Sequence, residues 1–129
     1  MARPPSTHPT DRELELLQVL WQTGPSGLGQ ICAALRRQRP IATTTVATML
    51  TVMLDKNLVR RKRTAQGYLW SAKTSRQNTA TGMVRKLVDL VFDGSAQRLV
   101  AHLLESDDLS DEERRELRRL IDAELKPGK

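Results

Sequence analysis

Aromatic side chains and cysteine are scarce in this 129-residue chain, which has two tryptophans, one tyrosine, one phenylalanine and one cysteine. A single cysteine excludes an internal disulfide and cannot by itself build a cysteine-rich metal site. Because rings are few, aliphatic side chains must fill most of any core. The length allows one compact domain or two very small ones.

Long apolar runs are also missing. No stretch approaches the roughly 18 apolar residues that span a membrane, so no membrane insertion is expected. Residues 1–9 are rich in Pro, Ser and Thr and lack the apolar segment of a signal peptide. We therefore predict a flexible arm over residues 1–9 and a cytoplasmic protein.

Signatures of enzyme and cofactor sites are missing as well. The two histidines, His8 and His102, are far apart, and there is no Gly-rich phosphate loop, His-Glu-x-x-His motif or zinc-ligand cluster. The acids from Glu105 to Glu116 are typical of a helix N-terminus, where negative charge is stabilising. The sequence predicts no enzymatic activity, no cofactor and no metal.

Excess positive charge lies in the first half of the chain. The formal net charge is +6, and residues 1–72 hold ten Lys and Arg against four Asp and Glu, whereas residues 73–129 hold eleven of each. Lys and Arg attract nucleic-acid phosphates by charge and counterion release. The asymmetry indicates a polyanion partner such as DNA, although a basic surface without a partner would have the same composition.

Three amphipathic helices are predicted before the middle of the chain. The first begins with a Thr10–Glu13 capping box and ends at Gly24-Pro25, the second spans about Leu28–Arg37, and the third spans about Thr43–Lys56. Their apolar residues recur at helical spacing and predict a shared core. Its members are Leu14, Leu17, Leu20, Trp21, Leu28, Ile31, Cys32, Leu35, Val46, Met49, Leu50, Met53 and Leu54.

The outer face of the third helix is dominated by threonine. Threonine is a weak helix former, and a merely solvated face would favour Glu, Lys or Gln, unless the composition is accidental. Its small side chain lets DNA approach, its hydroxyl can bond a phosphate or base edge, and its methyl can contact a thymine methyl. We predict DNA contacts from Thr43, Thr44, Thr45, Thr48 and Thr51.

A basic hairpin follows the third helix. Residues 58–63 and 68–71 are predicted strands, joined by a turn that ends at Gly67. Four consecutive bases repel one another unless a polyanion lies beside them, although such a run can also protect a strand edge. We predict phosphate contacts from the four bases, Arg60, Arg61, Lys62 and Arg63.

Three helices followed by a two-stranded hairpin are the order of a winged helix. The sequence therefore predicts a mainly α fold of the α+β winged helix-turn-helix class, with a DNA-binding domain over residues 10–73. One alternative is a winged helix that binds protein. The apolar Val52 near the threonine face favours it, but such a module would have no basic wing. RNA binding would need exposed rings for stacking, and only Tyr68 or Trp70 qualifies.

Residues 74–129 have a different character. After a polar hinge over residues 74–80, helical spacing predicts a helix over about Thr81–Phe92, a second capped by Ser95, and a third opened by a Ser110 capping box and ended by Pro127-Gly128. About 50 residues are too few to bury such wide apolar stripes alone.

We therefore predict that residues 74–129 form a dimerisation region that pairs with a second copy, the alternative being that its helices fold back on the first domain. The predicted dimerisation residues are Met83, Leu87, Leu90, Val91, Leu99, Leu103, Leu117, Leu120 and Ile121.

Four segments resemble the penicillinase and methicillin-resistance repressors, a family that also includes copper-responsive repressors. They are residues 14–21 with Gly24-Pro25, residues 42–50, residues 56–61 and residues 68–71, of which 42–50 is the most specific. The resemblance covers about Thr10 to Leu125. It implies a winged helix with its third helix in the major groove, a helical dimerisation region, and repression at a two-fold operator of resistance or stress genes.

The resemblance also assigns residues by position. Thr44, Thr45 and Thr48 correspond to recognition-helix contacts, and the wing side carries Arg60, Arg61, Arg63 and Tyr68. In the β-lactam systems of the family, a membrane-bound zinc metalloprotease sensor triggers cleavage at an Asn-Phe bond, which matches His102-Leu103 here. Packing of Leu103 in a dimer is the other interpretation. The copper branch uses C-terminal Cys-x-Cys elements, which this chain lacks.

Overall fold

The structure, a computed structural model, describes residues 8–125. The predicted arm lies outside these residues except for its last two positions, and so does the predicted stop at Pro127-Gly128. The elements are α1 (Asp11–Thr23), α2 (Leu28–Leu35), α3 (Thr43–Asp55), β1 (Val59–Thr64), β2 (Gly67–Ala72), α4 (Arg76–Val91), α5 (Ala96–Glu105) and α6 (Asp111–Glu124). The chain divides into two compact units, one ending at Met83 and one beginning at Val84 within α4.

The first helix has the predicted ends. The Thr10 hydroxyl accepts a hydrogen bond from the Glu13 N–H at 3.2 Å, and the Thr10 N–H donates to Glu13 Oε1 at 2.9 Å. Gly24 ends α1 with φ of +78°, a left-handed value that glycine adopts without a Cβ penalty. Its N–H donates to the Leu20 carbonyl at 2.8 Å. Both sequence predictions are confirmed.

The core of the first unit lies between the three helices and the base of the hairpin. Its most deeply buried side chains are Leu16, Leu17, Ile31, Cys32, Val46, Leu50, Met53 and Val59. The sequence prediction for α1 was wrong in detail, because Leu14 is only half-buried and the enclosed Leu16 was not predicted, whereas the half-buried Trp21 packs against the core as predicted. Since α1 contacts both α2 and β2, it buries more than one stripe.

The hairpin has a two-residue turn, Ala65 and Gln66, between paired Thr64 and Gly67. Gly67 has φ of +114°, which supports the predicted need for glycine there. Ser26, in the loop between α1 and α2, forms a β-bridge with Trp70 through two backbone hydrogen bonds of 2.9 and 2.8 Å. This bridge fixes the base of the hairpin to the helical part of the unit.

The fourth helix begins at Arg76, well before the predicted start near Thr81, so most of the predicted hinge is helical. Ser75 starts it, because its hydroxyl accepts from the Asn78 N–H at 3.0 Å and its carbonyl accepts from the Thr79 N–H at 3.0 Å. Thr79 is buried, and its hydroxyl lies 3.3 Å from the Thr74 hydroxyl. Apolar periodicity missed this turn because its buried residue is polar.

The helices α5 and α6 of the second unit begin at the predicted caps. The Ser95 hydroxyl accepts from the Arg98 N–H at 3.2 Å, and Ser110 forms a capping box with Glu113. The Arg114 guanidinium donates to the Leu104 and Ser106 carbonyls at 3.0 and 2.8 Å, which ties the first turn of α6 to the end of α5. No helix within residues 8–125 has the length and apolar character to cross a membrane.

Candidate nucleic-acid interface

The five predicted threonines of α3 are all exposed, but their hydroxyls differ in their partners. Thr43 accepts a hydrogen bond from the Arg36 guanidinium at 2.8 Å, and Arg36 also donates to the Ile41 carbonyl, so Thr43 holds the turn before α3. Thr48 and Thr51 donate to backbone carbonyls one turn earlier, at 2.9 and 3.1 Å. Their oxygen lone pairs remain available to an external donor.

One side of α3 faces the first turn of α1 across a groove of about 390 Å³, which we call the α1 groove. Its lining is Thr10, Arg12, Glu13, Thr44, Thr45, Thr48, Met49 and Val52. The exposed Arg12 therefore lies beside three of the predicted threonines. Sequence reasoning missed Arg12 as a site residue, because nothing in a local pattern brings the start of α1 next to α3.

The other side of α3 faces the hairpin across a groove of about 540 Å³, which we call the hairpin groove. Thr51 and Ala47 line it from α3, Gly67, Tyr68 and Trp70 line it from the hairpin, and the start of α2 closes it. The threonine face of α3 is thus bordered by α1 on one side and by the hairpin on the other.

The four consecutive bases of β1 are divided between the two faces of the hairpin. Arg61 and Arg63 pair with Trp70 and Tyr68, whereas Arg60 and Lys62 pair with Ser71 and Leu69. Because side chains alternate along a strand, each pair of bases shares one face. The Arg61 guanidinium carbon lies 4.2 Å from the centre of the Tyr68 ring and 5.6 Å from the Trp70 ring. Arg63 lies 5.7 Å from the Tyr68 ring.

A buried ion pair links the end of α3 to the start of α1. Glu13 is 5 % exposed, and its carboxylate accepts a hydrogen bond from Lys56 Nζ at 2.7 Å. Burial raises the pKa of Glu13, but the hydrogen bonds from Lys56 and Thr10 and the Lys56 charge outweigh it and hold the pKa below its usual value. The pair joins the first turn of α1 to the residue after α3, and sequence analysis did not foresee it.

Within the described residues the bases that border α3 are not held in ion pairs, although the charge of Arg12 helps to lower the pKa of Glu15. Lys56 pairs with Glu13, and Arg39 pairs with Glu15, whose pKa is lowered mainly by the hydrogen bond from Arg39. Among residues 8–125, no ion pair involves Arg12 or the four bases of β1. Their charge remains available to an anion outside the unit.

The predicted dimerisation residues lie mostly at the surface. Met83, Leu87, Leu90 and Val91 of α4 are exposed, as are Leu103, Leu120 and Ile121, whereas Leu99 and Leu117 are half-buried. An apolar groove of about 630 Å³ runs between α5 and α6, and it includes Val100, Leu104 and Leu125, which the prediction left out. We call this the α5–α6 groove.

The predicted cleavage position, His102-Leu103, lies inside α5 with both side chains exposed. The His102 ring meets Phe92 edge-on, with ring centres 5.6 Å apart. Leu103 lines the α5–α6 groove. No group of three or more His, Cys, Asp or Glu residues in the described part of the chain is arranged to hold a metal ion.

Three helices followed by a basic two-stranded hairpin define a winged-helix protein. The profile of the family described as penicillinase repressor matches residues 9–123, and the chain belongs to this family. The fold class and the family resemblance proposed from the sequence are confirmed.

Named relatives agree with this assignment. The transcriptional regulator BlaI of Mycobacterium tuberculosis is 32 % identical over 92 % of this chain and 85 % of its own length. The methicillin resistance regulatory protein MecI of Mammaliicoccus sciuri is 22 % identical over 84 % of this chain and 89 % of its own. The penicillinase repressor of Bacillus licheniformis is 20 % identical over 88 % of each. The chain is therefore a DNA-binding transcriptional regulator of the repressor class, rather than an enzyme.

Proposed function

We propose that the protein represses transcription by binding a two-fold operator as a homodimer, with α3 as its recognition helix. One observation carries this proposal. The exposed face of α3 carries mainly small hydroxyl-bearing side chains and is bordered on both sides by bases that form no ion pair among residues 8–125, Arg12 at the α1 groove and Arg61 and Arg63 on the hairpin.

This arrangement suits the DNA major groove. A helix that enters the groove has base edges in front of it and a phosphate backbone on either side. Threonines at the front allow close approach and can accept hydrogen bonds or contact methyl groups, while arginines at the borders neutralise phosphates. Sequence specificity would then come from the threonines of α3, which are Thr44, Thr45, Thr48 and Thr51. Most of the affinity would come from the bordering arginines.

Dimerisation is supported by the second unit. Leu90 and Val91 of α4 and Leu125 after α6 are exposed at 72 %, 64 % and 68 %, and the α5–α6 groove is lined mainly by aliphatic side chains. Contiguous apolar surface of this kind usually marks an association site. A symmetric dimer would present two copies of α3 to two half-sites of an operator.

The relatives' names support the proposed target genes. Those names concern methicillin resistance and penicillinase, so we propose that the protein controls antibiotic-resistance or cell-envelope stress genes. A cytoplasmic location is part of the same proposal, because a regulator of this class has to reach DNA. Cleavage near His102-Leu103, triggered by a membrane-bound zinc metalloprotease sensor, would relieve repression. Since this bond lies within α5, that turn of the helix would have to unfold to enter a protease.

A second function, protein recognition through α3, is favoured by one observation. The outer face of α3 has no Lys or Arg of its own, and it includes Val52, which is 44 % exposed, and Asp55. A protein partner could use this face without the hairpin bases.

A binding titration separates the two functions. Fluorescence anisotropy would follow the full chain on DNA from its own upstream region and on scrambled DNA, at two salt concentrations. Repression predicts tight, salt-sensitive binding with preference for the upstream DNA. Equal binding to both would leave a nonspecific DNA-binding protein, and no binding would favour the protein-recognition function.

Threonine variants test the role of α3 in sequence preference. We expect Thr44→Ala with Thr48→Ala to weaken operator preference by about 1 kcal/mol, or about fivefold, with less effect on random DNA. Thr81→Ala, exposed on α4, is the matched control. Equal losses on operator and random DNA would mean that the threonines contact only phosphate.

A further inference from the structure

We propose that the hairpin binds DNA with one of its faces only: Arg61 and Arg63 contact phosphates and Tyr68 positions the Arg61 guanidinium, whereas Arg60 and Lys62 take no part. This inference rests on the proposed function, because it assigns residues within the DNA-binding surface. It divides a run of four bases that the sequence presents as equivalent.

The strand register is the first step. Val59, Arg61 and Arg63 share one face of β1 with their partners Ala72, Trp70 and Tyr68. At the base of the hairpin this face is buried, since Val59 is 1 % exposed and Trp70 is 6 % exposed. The same face therefore packs on the core at the base and continues past the core toward the turn.

The position of α3 is the second step. Tyr68 and Trp70 line the hairpin groove together with Thr51 and Ala47 of α3. The face that carries Arg61 and Arg63 is consequently the one beside the threonine face. None of the four bases lines the groove itself, but Arg60 and Lys62 lie on the opposite face of the hairpin from Tyr68 and Trp70. A duplex held against α3 would have its nearer phosphate strand alongside Arg61 and Arg63.

The aromatic rings are the third step. The Arg61 guanidinium lies over Tyr68 at 4.2 Å, within the range of a cation–π contact, and Tyr68 itself is 38 % exposed. Stacking covers the flat side of a guanidinium and leaves its N–H edge free for a phosphate. The ring also restricts the rotamers of a long side chain before DNA arrives. Arg60 and Lys62 have no ring contact among those found in the described part of the chain.

Two double variants of the full chain test the face assignment, and each removes two positive charges from the same strand. They are Arg61→Ala with Arg63→Ala, and Arg60→Ala with Lys62→Ala. Binding to a random-sequence duplex would be measured by anisotropy over a series of NaCl concentrations. We expect the first variant to bind more weakly and to lower the log–log salt slope by about 0.9 for each phosphate that is no longer neutralised. The second variant should keep the parent slope.

Variants of Tyr68 test its positioning role. Tyr68→Phe keeps the ring and should keep the parent affinity and slope. In an Arg63→Ala background, which removes the second guanidinium near the ring, Tyr68→Ala should weaken binding as Arg61→Ala does. Combining Tyr68→Ala with Arg61→Ala in that background should be no weaker than Arg61→Ala there, because both changes disrupt the same phosphate interaction. If Tyr68→Phe weakens binding as much as Tyr68→Ala does, the hydroxyl itself binds DNA and the positioning role is overturned.

The failure of this inference can be told apart from the failure of the proposed function. Equal reductions in affinity for the two double variants, a larger reduction for Arg60 and Lys62, or no reduction in either would overturn the single-face assignment while the parent still binds. A parent chain without salt-dependent DNA binding would overturn both. Circular dichroism would verify that every variant is folded as the parent is.

Discussion

The two units differ in how far their apolar side chains are buried. The first unit encloses its aliphatic side chains, with Leu16, Leu17, Ile31, Val46 and Leu50 all fully buried. From Val84 to Leu125, Val88 is the one buried residue. The comparison shows that similar amphipathic helices can either form a closed core within one chain or leave their apolar faces exposed to a second surface.

The difference follows from how the helices are packed. In the first unit, α1 contacts α2 and β2, and α3 contacts α2 and β1, so apolar stripes converge from several directions. In the second unit, α5 and α6 meet but keep an open groove of about 630 Å³. Filling that groove from outside would bury apolar area and stabilise the second unit.

The largest contrast should come from leucine truncations in the two units. Leu50→Ala removes a fully buried side chain and should lower the free energy of unfolding by about 2–5 kcal/mol. Leu90→Ala removes a side chain that is 72 % exposed and should cost far less in the dissociated chain. Urea denaturation at low protein concentration measures both. Equal costs would erase the distinction between a closed unit and an open one.

Charge placed in the α5–α6 groove should prevent self-association. Leu120→Asp with Ile121→Asp puts carboxylates where apolar contact is proposed, and it should raise the dimer dissociation constant by about 100-fold or more. Ala123→Asp, exposed on the same helix outside the groove, is the control. Sedimentation velocity over a concentration series distinguishes them. A double variant that dimerises like the parent would remove the groove from the interface.

A smaller difference in the free energy of unfolding is expected between two carboxylate substitutions, one at the buried Glu13 of the first unit and one at the exposed Glu116 of the second. Because the pKa of Glu13 is lower in the folded chain, ionised Glu13 stabilises the fold above its ordinary value of 4.5, and this stability is lost as pH falls through the folded value. Glu13→Gln should cost about 1–3 kcal/mol at neutral pH, and the difference from the parent should shrink under acid.

The control for Glu13 is Glu116→Gln. Glu116 also has a lowered pKa, caused by its hydrogen bond from Arg119, but both side chains are exposed. Solvent screens such pairs, so this substitution should not measurably change the unfolding midpoint. Urea midpoints between pH 3 and pH 7 compare the two variants. A pH-independent cost for Glu13→Gln would mean that Lys56 does not stabilise the charged form.

Local features of the fold were predictable because they depend on neighbours in sequence. The capping boxes at Thr10 and Ser110, the end of α1 at Gly24 and the hairpin all follow from residues a few positions apart. The start of α4 was not predicted, since its buried Thr79 interrupts the apolar pattern. The threonine face of α3 was predicted as exposed, and it is.

The sequence by itself determined the order of elements, the amphipathic faces and the concentration of positive charge, because composition and periodicity encode these directly. Only the tertiary structure decided that Arg12 lies beside α3, that Glu13 is paired with Lys56, and that Arg61 rather than Arg60 shares a face with Tyr68. Each of these depends on how separate elements pack or pair, and the packing is a property of the whole core rather than of any local pattern.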